Sequence, residues 1–571
     1  MNAAAEKAET LFIAEWAWRD VHLGTHGDLD IATLLLEQVR LSGSFVCLLN
    51  GPSPGGRDGS TRSGAFDHDL REEIILNKLE CTFRLLQPAS SLTPPDAPSI
   101  ELCGSRWVLN EYAQLSDGLA YTCISYVWEQ EKTEHWLNDG QFMSARTIPV
   151  IEAAIKASRS PKNWANVQFS QDQQKDAVAR VEALNAAHAF WIDAICIPTQ
   201  DAARASSLRN MGAIYSSAWQ VFVVLSASSS IVLHQIRDTG RLDPNALFIL
   251  ESDEWITRSW TYQEIVNSRA LYFIVQDDES TIVSGVDFLS AVLTATDDYR
   301  STHGIDSLTW GEQHPKLDSL ECLIADYKIA QYAERSAYQV MSAMHARFSE
   351  RIDDHFYAMI GAIAISSLDI QDDEFHSPSE YFMQTCEAKG DYSFLYSEAP
   401  RNEIYGRRWR PIEGKFPPVL PELLIFGTGQ SGSLKPTHIQ LENMCRLVTG
   451  TIGSDGLKAT RGHLAMVHRH RPKGDTYSSP SDVADAILEL LKTRGFSGCG
   501  EYLELENGFF FSQSKPARSD DIFVSISIDV HWAGGGPGML LRSNDTGIND
   551  FCDVGAFIGR IPKNGESICV G

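Results

Sequence analysis

Between residues 100 and 300 short apolar runs alternate with amphipathic stretches, and this alternation restricts the fold more than any other feature of the chain. Tyr121–Tyr126, Phe190–Ala194, Val221–Leu225 and Leu271–Val275 are long enough for strands and too short for helices. Around and between them, Val150–Ala157, Lys175–His188, Ala203–Ser216 and Trp260–Asn267 read as helices. Strands alternating with helices predict an α/β fold with a flavodoxin-like, open, mostly parallel sheet and helices on both faces. Ligands of such sheets bind beyond the carboxyl ends of the strands. That rule selects Ser125, Tyr126 and Trp128 after one strand, Asp193 and Cys196 after the next, and the loop leading to Arg258 and Glu264.

The stretch Arg258-Ser-Trp-Thr-Tyr-Gln-Glu264 concentrates chemistry. Ser259 is a candidate helix cap, and Glu264 falls four residues after Trp260, so indole and carboxylate would share one helix face. An acid held against an aromatic wall loses water, which raises its pKa and suits it to proton transfer or to stabilising a cation. The plainer reading is a solvent-exposed Glu on an amphipathic helix.

At 571 residues the chain exceeds one ordinary core, since domains usually run about 100–200 residues. Composition breaks suggest a helical extension with a mobile loop over 1–99 (helices at Ala14–Val21 and Ile31–Leu41, loop at 50–64). An α/β domain at 100–300, a mixed helical region at 301–420 and a β-rich region at 421–571 follow. Phe509–Phe511, Ile522–Ile528, Gly538–Leu541 and Val554–Ile558 read as a small antiparallel β unit, and Pro480–Thr493 as a helix capped by Ser481 or Asp482. The formal charge of -27, from 48 Lys+Arg against 75 Asp+Glu, disfavours nucleic acid and anionic lipid, both of which need a basic surface. Eleven cysteines without a C-x-x-C pair read as reduced thiols. With no leader-like start and no run of ~18 apolar residues, the expectation is a cytoplasmic protein without a membrane partner.

Other signals read more blandly. His463, His468 and His470 cluster, and a strand would put the last two on one face, but with no further metal ligand at defined spacing they read as surface histidines beside Arg469 and Arg471. Cys196 sits between Ile195 and Ile197 as a core thiol would, and Gly534-Gly-Gly-Pro-Gly538 reads as a flexible hairpin, not a phosphate cradle.

Tyr121-Thr-Cys-Ile-Ser-Tyr-Val-Trp128, Trp191-Ile-Asp-Ala-Ile-Cys-Ile197 with Met211-Gly-Ala-Ile-Tyr215, and Arg258-Ser-Trp-Thr-Tyr-Gln-Glu264 resemble, in order, three blocks of the fungal heterokaryon-incompatibility (HET) domain family. Arg351-Ile-Asp-Asp-His-Phe-Tyr-Ala-Met-Ile-Gly361 and the C-terminal strands resemble segments that follow the domain in that family. The family is similar to TIR domains, and the resemblance implies a TIR-like sheet, an incompatibility or cell-death role, and cleavage of NAD at its N-glycosidic bond. On that resemblance Glu264 and Asp193 would be catalytic, and Ser125, Tyr126, Trp128, Arg258, Trp260 and Gln263 would bind the ligand. NAD would be substrate and not cofactor; no metal is implied.

Two departures stand out. Glu129 replaces the glycine usual after the block's Trp, and Pro198 follows Ile197 where the family usually has Asn or Asp. A residue with a Cβ at a position that needed glycine's backbone freedom would reshape the loop. Two other readings compete: a non-catalytic signalling module that assembles with itself or a partner, and an enzyme recruited to a small metabolite in the same cleft.

Overall fold

The computed structural model describes residues 83–571 except 113–119, 130, 135–141, 160–188, 306, 330–334, 364–376, 405, 422–426, 428, 468–478, 494, 517–518, 520 and 533. The expected segments before residue 83, with their two helices and loop, lie outside the described residues, as do Lys175–His188, His468 and His470. The chain divides into two compact units that interleave in sequence. One takes the described residues up to Ala333 together with Ala346–Thr385; the other takes those of Glu334–His345 and Cys386–Gly571.

The first unit is built on an eight-stranded mixed sheet. Its strands are β1 (Phe83–Pro88), β2 (Ser99–Leu102), β3 (Ser105–Tyr112), β4 (Thr122–Tyr126), β7 (Phe190–Trp191), β8 (Gln220–Leu225), β9 (Leu271–Val275) and β10 (Asp278–Ser284), in the order β10-β9-β8-β4-β7-β1-β3-β2. A separate two-stranded ribbon pairs β5 (Lys132–Glu134) with β6 (Phe142–Ser144). The four apolar runs are the parallel centre, β9‖β8‖β4‖β7. Antiparallel pairs extend both edges, so the sheet is parallel only in its middle. Every residue of β4, β8 and β9 is buried, which requires both faces to be covered. Helices α1 (Thr147–Arg159), α5 (Ser230–Thr239) and α7 (Gly285–His303) pack on these strands.

Three local departures have physical causes. The run Phe190–Ala194 is a strand only to Trp191, because Asp193 starts a one-turn helix, α2 (Asp193–Cys196), and accepts the Ala194 N–H at 2.7 Å. The single helix expected over Ala203–Ser216 is two, α3 (Asp201–Arg209) and α4 (Met211–Ser217). They part at Asn210, whose side chain donates back to the Ser206 carbonyl at 2.9 Å and competes with the helical ladder. Strands β2 and β3 meet in a two-residue turn, Cys103-Gly104, with φ of 49° and 69°, the left-handed pair that such hairpins need.

The second unit holds β11 (Gly432–Leu434), β12 (Ile439–Val448), β13 (Tyr502–Leu505), β14 (Gly508–Ser512), β15 (Ile522–Ser527), β16 (Gly535–Arg542), β17 (Asp550–Gly559) and β18 (Glu566–Val570), in an antiparallel sheet of order β11-β12-β15-β16-β17-β14-β13 with β18 paired to β12. It is larger than the small β unit expected, and Leu505, Phe510, Val524, Ile526 and Phe557 form its dry centre. Gly535–Gly538 are not a flexible hairpin but buried positions of β16 (Gly535–Arg542), hydrogen-bonded to β17 (Asp550–Gly559). His463, expected at the surface, lies on the helix Ser454–Val467 and is buried. The cap of Pro480–Thr493 is Ser479: its hydroxyl accepts the Asp482 N–H at 3.2 Å while Asp482 accepts the Ser479 N–H at 2.9 Å.

Candidate functional site

Helix α6 (Ser259–Val266) delivers the acid, and its start is fixed from outside. Ser259 does not cap it. The residue before the helix is Arg258, in extended conformation, and the Ser259 N–H donates to the Phe348 carbonyl at 2.9 Å. Buried Arg347 holds the same turn, donating through Nη1 to the Ile256 and Arg258 carbonyls at 3.0 and 3.2 Å. Helix α9 (Ile352–Ile363) then lies against α6 and α4.

Glu264 is 5% exposed. Its Oε2 accepts the hydroxyl of Ser125, from the carboxyl end of β4, and the Tyr215 hydroxyl on α4 donates to the same carboxylate. Trp255 Nε1 donates to Ser125 Oγ at 2.8 Å. Burial pushes the Glu264 carboxyl up to about 7; the negative charge of Asp193 adds to the rise, while the Ser125 hydrogen bond and the Arg258 charge oppose it.

Asp193, at the carboxyl end of β7, is partly exposed. Trp128 Nε1 donates to its Oδ2 at 3.0 Å. Loss of water raises the Asp193 carboxyl to about 6, against the lowering effect of the Ala194 N–H, the Arg258 charge and the Trp128 indole. Tyr126 is buried, bonded to Thr147 Oγ1 at 2.7 Å, and its hydroxyl is pushed well up by burial and then by Asp193. The carboxyl ends of β4 and β7 and the foot of α6 therefore bring Ser125, Trp128, Asp193, Arg258 and Glu264 into one charged cluster.

Two expected ligand residues lie apart from this cluster. Gln263 is fully buried, with Nε2 3.9 Å from Met211 Sδ and its side chain against Gly361. Trp260 is partly exposed and its indole is hydrogen-bonded to Asp354 on α9. Sequence reasoning did not assign to the site Tyr215, which bonds the Glu264 carboxylate, or Trp255, which bonds Ser125. Trp255 sits in a single 3₁₀ turn, Glu254–Thr257, where no periodicity marks it, and Tyr215 was visible only as part of the second block.

Cys196 is a buried thiol raised to about 12, chiefly by burial. It belongs to the support: Arg84 on β1 donates to the Cys196 and Ile195 carbonyls at 3.0 and 3.3 Å and so closes the end of α2. Glu129 needs no glycine-like backbone, since the described non-glycine residues at positive φ are Cys103, Leu420 and Asn443. Its N–H donates to Ser144 Oγ at 2.9 Å.

No helix among the described residues is long and apolar enough to cross a membrane. Neither a curated protein nor a solved structure matches the chain. Residues 121–264, which begin just before β4 and end on Glu264 itself, match the family model described as Heterokaryon incompatibility protein (HET), and this stretch of the chain is therefore similar to that family's domain.

Proposed function

We propose that the HET domain hydrolyses the N-glycosidic bond of a nicotinamide dinucleotide, and that loss of NAD is how it would bring about incompatibility and cell death. The observation that carries this reading is Glu264, a carboxyl with a midpoint of about 7, buried among donors at the strand ends where α/β sheets take ligands. Such a group is divided between its two forms at neutral pH. It can stabilise positive charge and also receive a proton.

In the reaction, the bond between ribose C1′ and the pyridinium nitrogen breaks and its electron pair neutralises the ring, which leaves as nicotinamide. Ionised Glu264 stabilises the oxocarbenium-like charge at C1′. Water adds its oxygen to C1′ and gives a proton to the carboxylate, which returns it to solvent, leaving ADP-ribose. Trp128, partly exposed, offers a face for the departing ring, and Arg258 offers a cation for the pyrophosphate. The similarity of the family to TIR domains agrees with this chemistry and does not carry it.

Incubating the purified full chain with NAD and following nicotinamide tests the reading. Release should fall at least ~100-fold in Glu264→Gln, the usual scale for losing an acid–base group. Release that is unchanged by the substitution overturns it, as does an inactive wild type. An inactive protein that self-associates with concentration would point to an assembly module instead.

A further inference from the structure

The hydrogen bonds around Ser125 run in one direction. Trp255, Ser125 and Glu264 are 1%, 1% and 5% exposed, so water does not compete for them. An indole N–H only donates, and a serine hydroxyl has a single hydrogen. With Trp255 Nε1 2.8 Å from Ser125 Oγ, one lone pair of that oxygen is taken, and the hydrogen is left for Glu264 Oε2. When Glu264 is neutral, the Ser125 bond disfavours a proton on Oε2, and the other donor facing the carboxylate is the Tyr215 hydroxyl. Trp255 is held in turn: its backbone N–H donates to Asp253 Oδ1 at 3.1 Å, and its ring meets Phe273 edge-on at 5.6 Å between centroids. Asp253 is itself fixed by the hydroxyls of Ser226 and Ser229 at 2.8 and 3.0 Å.

We propose that Trp255 is a positioning residue which, acting through Ser125, makes that hydroxyl a one-way donor to Glu264 and so sets where and when the acid is protonated. This deepens the hydrolase reading and rests on it only for the kinetic consequence. The titratable and charged groups facing Glu264 are Cys123 on β4, Tyr215 on α4, Asp193 on α2 and Arg258 at the foot of α6. The acids of the other packed helices face elsewhere: Asp354 on α9 meets Trp260, and Asp326 meets the Tyr262 hydroxyl at 2.8 Å. Ser125 is thus the point through which Trp255 can reach the carboxylate.

The test is a carboxyl-¹³C titration of the full chain labelled at glutamate Cδ, with the Glu264 signal assigned by its loss in Glu264→Gln. Ser125→Ala should move the midpoint up by about one unit, the scale of one hydrogen bond to a charged acceptor. Trp255→Phe should move it up by about half a unit when Ser125 is present, and not at all in the Ser125→Ala background. Replacing Trp255 by its benzothienyl analogue keeps the ring's shape without the N–H and should match Trp255→Phe, which separates the hydrogen bond from packing. A shift from Trp255→Phe that is equal with and without Ser125, or no shift from either replacement, overturns the proposal. The titration contains no substrate, so failure to cleave NAD would remove the hydrolase reading and leave this result standing. If NAD is cleaved, the acid limb of the pH profile should follow the same shifts.

Discussion

Trp128 Nε1 and Asp193 Oδ2 meet at 3.0 Å, which ties the chain leaving β4 to the chain leaving β7 at the carboxyl ends of two adjacent parallel strands. The indole hydrogen stabilises the ionised form of an acid already raised to about 6 by loss of water. Trp128→Phe should therefore raise the Asp193 midpoint further, by up to about one unit. A carboxyl-¹³C titration of the aspartates checks this, and an unmoved midpoint would show that the contact does not bear on the charge.

Turnover of NAD should rise with pH through an apparent midpoint near 7. In the proposed reaction the ionised form of Glu264 stabilises the developing cation, and this carboxyl sits at about 7. Asp193, at about 6, interacts with it, so the profile reports the pair and not either residue alone. Measured as kcat/KM between pH 5 and 9, the rise should be lost in Glu264→Gln.

The same carboxyl affects stability, with a sign opposite to that of a paired surface acid. Its folded midpoint, about 7, lies above the ordinary glutamate value of 4.5 that stands for the unfolded chain, so the folded state binds more protons between those values. Glu264 consequently costs stability progressively as pH rises from about 4.5 to 7, by on the order of 3 kcal/mol in total. Comparing urea midpoints of wild type and Glu264→Gln across that range should show the wild type losing ground. Parallel curves would mean that the acid ionises freely in the folded state.

Glycine-to-alanine changes inside helices normally stabilise, by about 1 kcal/mol. At Gly212 and Gly361 the sign should reverse. A methyl group at Gly212 would stand 2.3 Å from the Gly361 carbonyl oxygen, and one at Gly361 would stand 1.5 Å from Gln263 Oε1. The first clash is with backbone and cannot be relieved by a rotamer, so Gly212→Ala should cost about 3 kcal/mol, the upper range for an overpacked core. Gly361→Ala should cost less, since Gln263 can turn aside. Thermal unfolding of the two variants would order them.

Arg347 is buried without a carboxylate hydrogen-bonded to it, donating to the Ile256, Arg258 and Ser319 carbonyls and to Thr261 Oγ1. Methionine fills similar space but makes none of these hydrogen bonds: the Arg258 carbonyl keeps the Thr261 hydroxyl at 2.7 Å, while the Ile256 carbonyl loses the Nη1 donor, at about 1–3 kcal/mol. Arg347→Met should lower the urea midpoint by at least about 2 kcal/mol equivalent and should weaken NAD turnover, because the turn it holds aims Glu264.

What the sequence made legible follows from burial. Strands β4, β8 and β9 are covered on both faces and read as unbroken apolar runs, so the parallel centre could be placed from residue types alone. Strands β1 and β3 carry Arg84, Pro88, Arg106 and Glu111, and β10 begins Asp-Glu-Ser-Thr, so polar residues interrupt their apolar positions and leave no clear period. The strand-end rule selected Ser125, Trp128 and Asp193 because each closes or follows a legible strand, whereas Glu264, six residues into α6, was selected through the stretch that starts at Arg258. It could not find Trp255, whose place depends on a 3₁₀ turn, nor the turning of Trp260 and Gln263 toward α9 and α4, which depends on what packs beside the helix and not on its spacing.

The glycine contact between α4 and α9 carries a practical lesson about where the protein can be cut. The matched region ends at residue 264, yet Gly361 lies almost a hundred positions later and fills the hollow formed by Gly212 and Gln263. Expressed alone, 121–264 would forfeit β9 beside β8 and would present that hollow to water. A shortened version meant to keep its fold has to reach past residue 363, so the smallest working piece is set by that distant helix and not by the borders of the recognised stretch.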